Sequence, residues 1–157
     1  MRFMTKGAAA ALAAATMVAG AAAATGAAAE AYPVRGVQTG DATTGDLVGT
    51  FAGLTITSVT PHGGGNFALT ATETYIGCID VDGSGACDAG SPAGTMDFVA
   101  RITGRVDPAS PSGFARIGGA ERAVSGTGDF EGARGKLVFR EDVVTGEIPF
   151  HGVIKLR

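Results

Sequence analysis

Helical periodicity is absent from the sequence after residue 30. No segment there repeats its apolar residues every three to four positions for even three turns. Glycine and β-branched residues, which helices disfavour, are dense throughout this part. It also lacks an apolar run long enough to cross a bilayer as a helix. These absences exclude a helical domain and a second membrane segment, and they favour an all-β protein.

Several catalytic motifs are missing too. The two histidines, His62 and His151, stand in neither the H-x-H nor the H-E-x-x-H spacing of a catalytic zinc site. A G-x-S-x-G nucleophile elbow is absent, and Gly135-Lys136 is followed by Leu137, which does not complete a phosphate-binding loop. We therefore predict no cofactor.

Positive charge is scarce. The chain has 12 Lys and Arg against 15 Asp and Glu, giving a formal net charge of −3. The balance becomes more acidic if Arg2 and Lys6 are removed with an N-terminal leader. Because a nucleic-acid partner requires a basic patch, we predict no such partner.

Residues 1–29 have the pattern of a secretory signal peptide. Arg2 and Lys6 begin it, an alanine-rich stretch follows, and Ala27-Ala28-Ala29 offers a cleavage site before Glu30. The alternative is a membrane anchor of about 20 apolar residues. Alanine is only weakly hydrophobic and small residues crowd the end, so we predict cleavage, secretion and no stable membrane insertion afterwards. The remaining length suits one domain.

Two cysteines, Cys78 and Cys87, lie in the part predicted to be exported. In an oxidising compartment we expect a disulfide between them, with two free thiols as the alternative. Because the enclosed loop is short, the stabilisation would be about 2–3 kcal/mol at most.

The exported part divides into two regions. Residues 30–45 are rich in Gly, Thr and Asp, and we predict a flexible N-terminus with at most a short strand around residues 34–37. Residues 46–157 contain about six to eight short strands separated by turn signals, which indicates a sandwich or an antiparallel barrel. Glycines inside the strands favour a barrel, closed by pairing of the last strand with an early one.

A glycine-rich stretch, S-G-T-G-D-F-E-G-A-R-G-K-L-V-F, spans residues 125–139 and follows I-G-G-A-E-R-A-V. Phe130 is the one large apolar residue among its glycines, and we expect it to plug a core. The stretch resembles the GGTG-x-(F/Y)-x-G-A-x-G signature of allene oxide cyclase-like barrels, which include plant dirigent proteins. A second glycine is common in that signature where Ser125 stands here.

The resemblance covers residues 115–156 and implies an eight-stranded antiparallel barrel with a central cavity, often assembled into dimers or trimers. Members of the family range from cyclases and isomerases to proteins that guide coupling without chemistry of their own. The residues upstream match none of its enzymes, so no activity follows from the resemblance.

Glu73 and Tyr75 are the candidate catalytic residues. They share one face of a strand with period-two alternation that begins near Phe67. Inside a barrel the carboxyl pKa would rise, and Glu73 could act as a general acid or base with Tyr75 as its hydrogen-bond partner. Alternatively, Glu73 lies near the barrel mouth or pairs with Arg101 or Arg116.

A candidate calcium loop follows. Residues 80–85 read D-V-D-G-S-G, the first half of a calcium-binding loop, and Asp88 stands at its ninth position. The twelfth position is Ser91 and not Glu. The predicted ligands are Asp80, Asp82, Ser84 and Asp88. The alternative is a polar loop whose aspartates cap turns.

Three functions follow as hypotheses. The first is a secreted barrel, alone or as a homo-oligomer, that binds a small apolar or aromatic ligand in its cavity without defined turnover. The second is a cyclase or isomerase that uses Glu73 and Tyr75. The third is a structural or cell-envelope barrel without a ligand. An empty, partly polar interior would favour the first two, and a packed interior the third.

Overall fold

The computed structural model describes residues 29–157, so all but the last residue of the predicted signal peptide lie outside the described residues. Eight antiparallel strands form a closed barrel in chain order, which confirms the predicted fold class. The strands are β1 (Glu30–Thr39), β2 (Ala42–Gly45), β3 (Leu47–Pro61), β4 (Asn66–Ile79), β5 (Ala93–Val106), β6 (Phe114–Gly128), β7 (Arg134–Arg140) and β8 (Ile148–Leu156). A search of the described residues finds no helix long and apolar enough to cross a membrane.

Residues 30–45 are part of the barrel, so the prediction of a flexible N-terminus is wrong. Strand β1 pairs with β8 from Glu30–Leu156 to Gln38–Ile148, and β2 pairs with both β1 and β3. The pairing of β8 with β1 also confirms that the last strand joins an early one. Local composition concealed β1 because its partner β8 lies more than a hundred residues away in the sequence.

One end of the barrel is packed by Phe130, which is fully buried as predicted. It belongs to the hydrophobic core together with Leu47, Tyr75 and Met96. Gly126 allows this arrangement, because a Cβ atom there would collide with the backbone oxygen of Phe130. The glycine-rich stretch therefore folds Phe130 under the barrel as a plug. We call this the closed end.

The opposite end, which we call the mouth, is open because the strands differ in length. Strand β2 pairs with β3 only through residues 42–43, and β7 pairs with β6 only through residues 118–123 of β6. The outer half of β3, residues 53–61, pairs with β4 alone. Four long strands, β3 to β6, therefore project beyond the closed ring and leave their inner face accessible.

The strand register places the inward side chains. Glu73 of β4 lies opposite Phe98 of β5, and Glu121 of β6 lies opposite Ala100, the next inward residue of β5. Inward positions of the described strands otherwise carry apolar side chains, glycine or uncharged polar groups, apart from Glu30 at the start of β1. Away from Glu30, Glu73 and Glu121 are therefore the two carboxyl groups on the inner face of the described strands.

Candidate functional site

Glu73 and Glu121 form a carboxyl pair on the inner surface of the barrel. They lie two strands apart, one inward position from each other along the barrel. The fully buried Ala71 and Ala100 flank them, and these small side chains leave room for the longer glutamates. The two carboxyl groups approach closely enough to act as hydrogen-bond partners.

Burial changes the acidity of both groups. Desolvation raises the pKa of Glu73, partly opposed by its hydrogen bond with Glu121. Desolvation, the charge of Glu73 and their hydrogen bond together raise the pKa of Glu121 to about 9. Two carboxylates this close cannot both ionise easily in an apolar site. Glu121 therefore keeps its proton more readily than an ordinary glutamate and can donate it in the bond with Glu73.

The pair has no positive partner among the described residues. Arg101 lies on the outer face of β5, and Arg116 is exposed and donates to Asn66 Oδ1 at 3.4 Å. The alternative of an ion pair between Glu73 and one of these arginines is therefore wrong. A negative charge on either carboxyl group would therefore have no compensating side-chain cation among the described residues.

Tyr75 is not the hydrogen-bond partner of Glu73, contrary to the sequence prediction. Its ring is fully buried, and its hydroxyl group contacts the carbonyl oxygens of Val48 at 2.9 Å and Cys78 at 2.7 Å. Burial raises the pKa of Tyr75 above its ordinary value. The side chain bends towards the closed end over Gly77, whose lack of a Cβ atom makes space for the hydroxyl group. Its role is to hold the strands together.

Glu121 is the functional candidate that the sequence analysis missed. A signal was present, since Ile117, Gly119, Glu121 and Ala123 occupy alternate positions of one strand in the segment before the glycine-rich stretch. A carboxylate among such residues is predicted to be buried by the same argument that applies to Glu73. Only the register across β5 shows that the two glutamates meet.

The mouth presents an apolar surface beside the carboxyl pair. Ile56 and Val59 of β3 are 54% and 58% exposed, and their pairing with Ala71 and Leu69 places them on the inner face. Across the mouth, the rings of Phe67 and Phe114 lie 5.7 Å apart. The inner surface here is completed by Leu69, Ile102, Ile117 and Phe139. Such exposed apolar surface on a concave face is typical of a binding site.

An open pocket of about 740 Å³ lies over the rim of the mouth. Inward residues such as Phe67 and Phe139 line it together with outward residues such as Thr103 and Arg140. Because residues from both faces of the sheet line this pocket, it is a groove at the rim of the mouth. The groove meets the inner surface at Gly119, which lies one inward position from Glu121.

The loop between β4 and β5 is held by its own bonds. Cys78 and Cys87 form the predicted disulfide, with Cα atoms 5.6 Å apart. Asp80 accepts backbone N–H groups of Gly83 at 2.9 Å and Gly85 at 2.6 Å, and the Gly85 bond is the main cause that lowers its pKa. Asp80 therefore organises the loop as an ionised carboxylate.

The same loop contains the predicted calcium ligands. Asp82 accepts the backbone N–H of Ser84, and Asp88 accepts that of Gly90 at 2.9 Å. Within residues 29–157, no group of three or more His, Cys, Asp or Glu side chains is arranged to hold a metal ion. The observed bonds match the alternative of turn-capping aspartates, and calcium binding stays a prediction.

Comparisons of the chain with protein-family models, with curated proteins and with solved structures find no match.

Proposed function

We propose that this protein is a secreted β-barrel that binds a small apolar or aromatic ligand at its mouth. One observation supports this most strongly: an exposed apolar inner surface leads to a buried carboxyl pair that lacks a counter-charge. Apolar walls with a few convergent polar groups are the usual composition of a small-molecule site. The Cys78–Cys87 disulfide is compatible with secretion.

The position of the ligand follows from the packing. From the closed end up to Phe98 and Leu137, the interior is filled by buried side chains. A ligand therefore occupies the mouth above this packed region, with its inner end at Glu73 and Glu121. The packed region also makes the lower barrel a rigid support, which a preorganised site requires.

Proton-transfer catalysis is a second candidate, and the shared proton of the carboxyl pair favours it. One neutral and one ionised carboxyl group side by side supply a general acid and a general base at neutral pH. A cyclase or isomerase of the allene oxide cyclase-like type would then use Glu73 with Glu121, and not with Tyr75. If so, Glu73→Gln abolishes turnover of a substrate while leaving its binding within a few-fold.

Binding at the mouth can be tested with Nile red, an uncharged aromatic dye whose fluorescence rises in apolar sites. We expect saturable enhancement with the wild-type protein. Val59→Asp places a charge in the mouth and should weaken binding about tenfold or more. Val153→Asp is the matched control, because Val153 is also exposed, at 40%, but lies on the outer face.

Equal effects of the two substitutions, or no saturable binding by the wild-type protein, would overturn the proposed site. The first result would mean that the dye adheres to apolar surface generally. The second would favour a structural barrel without a ligand.

A further inference from the structure

We propose that the Glu73–Glu121 pair binds the cationic head of an organic amine, whose apolar body lies against the mouth. This inference rests on the proposed ligand-binding function and names the class of ligand. It concerns the chemical group that completes the site.

The Glu73–Glu121 pair lacks a cationic partner among the described residues. Glu121 is only 7% exposed, yet its carboxyl group has no hydrogen-bond partner in the described chain except Glu73, itself a carboxyl group. Inward positions near the pair supply no lysine, arginine or histidine. Burying a carboxylate without a positive partner is costly. A ligand cation would remove that cost, whereas an anionic ligand would increase it.

The surroundings of the pair suit an organic cation better than a metal ion. A calcium ion takes six to eight oxygen ligands and magnesium six, and both prefer several carboxylates or carbonyls. Here two carboxyl groups project between apolar side chains, and the described residues place no third acidic or histidine side chain beside them. An ammonium group with alkyl or aromatic substituents fits such mixed surroundings better.

An aromatic ring borders the pair on its mouth side. Phe139 is only partly buried and pairs with Gly119, one inward position from Glu121 towards the mouth. Aromatic faces attract ammonium groups, most strongly when the site is desolvated. Further out, Phe67 and Phe114 offer apolar surface for the body of the ligand.

Binding is then linked to the shared proton. An ammonium group favours ionised carboxylates, so it should displace the proton and bind more tightly as the pH rises. The titratable groups on the strands packed around the pair are few. Strand β4 adds only Tyr75 on its inner face, and its hydroxyl group bonds to backbone carbonyls. Strands β3, β5 and β7 present no titratable side chain inward.

The test compares two probes of the same shape, benzyltrimethylammonium and neopentylbenzene, which differ in one positive charge. Affinities are measured by ligand-observed NMR with the protein beginning at Glu30. We expect the cation to bind at least tenfold more tightly at pH 7, with its affinity rising from pH 6 to pH 9. The permanent charge of this probe ensures that any pH dependence comes from the protein.

Variants locate the effect. Glu73→Gln and Glu121→Gln should each reduce the ratio of the cation affinity to the neopentylbenzene affinity at least fivefold, because an amide does not attract the cation. Glu131→Gln, which removes an exposed carboxylate at the closed end, should change neither. Equal binding of both probes by the wild-type protein would overturn the amine inference and leave the proposed function standing. Binding of neither probe, together with no saturable Nile red binding, would overturn both.

Discussion

A buried carboxyl group whose partner is a second carboxyl group makes stability fall as the pH rises. The pKa of Glu121 is raised to about 9, well above that of an unfolded glutamate. Below pH ~4 both states hold the proton and the favourable contribution is fully present. As the pH rises towards 9, the unfolded chain releases its proton and the folded chain does not, so this stability is lost.

Glu121→Gln should remove that dependence, because the amide keeps a donor for Glu73 and does not ionise. We expect the variant to match the wild type at pH 5 and to exceed it by about 2 kcal/mol at pH 8. Urea unfolding at the two pH values measures the difference. A variant that is equally destabilised at both would show that Glu121 is ionised and well stabilised in the folded protein.

We expect the hydroxyl group of Tyr75 to stabilise the fold without taking part in ligand binding. Tyr75→Phe removes the donor to the carbonyl oxygens of Val48 and Cys78, which lie in or beside the core. We expect a loss of about 1–2 kcal/mol in the free energy of unfolding, with Nile red binding unchanged. Loss of dye binding without loss of stability would instead place Tyr75 in the ligand site.

At the scale of elements, the loop of residues 80–92 is the clearest case of structure maintained by local bonds. The disulfide restrains its first half, and Asp80 binds successive backbone N–H groups. Because these local bonds hold the loop, the turn-capping alternative predicts that a chelator leaves the thermal midpoint unchanged.

Asp80→Asn should lower the thermal midpoint with or without a chelator. The control is Asp142→Asn, which changes a turn-capping aspartate in the loop between β7 and β8 and leaves the loop of residues 80–92 intact. The lowered pKa of Asp80 also means that its contribution is present above the ordinary aspartate pKa and is lost as the pH falls through the folded value. A midpoint that falls on chelation would instead support calcium at Asp80, Asp82, Ser84 and Asp88.

The elements also show what could be predicted from the sequence. The period-two pattern around Glu73 is local, and it correctly placed that residue on an inner face. The disulfide and the Phe130 plug follow from nearby residues too. The meeting of Glu73 with Glu121 depends on the register of β4, β5 and β6, which no local pattern contains. The prediction for residues 30–45 is wrong for the same reason, because the partner of β1 is the last strand.

At the scale of the whole molecule, residues 30–45 close the barrel, because β1 and β2 connect β8 with β3. Without β1 and β2, both β8 and the inner half of β3 would expose unpaired backbone edges, and the buried Val34 would be lost from the core. Open edges lose hydrogen bonds and promote association between chains.

Removal of residues 30–45 should therefore prevent folding. Compared with a chain that begins at Glu30, the chain that begins at Asp46 should lose its cooperative thermal transition by circular dichroism and elute as aggregates in gel filtration. A chain that begins at Tyr32 is the matched control, because it loses only the first two pairs of β1 with β8 and should keep its transition. A monomeric, cooperatively unfolding chain from Asp46 would restore the flexible N-terminus and require the barrel to close without β1.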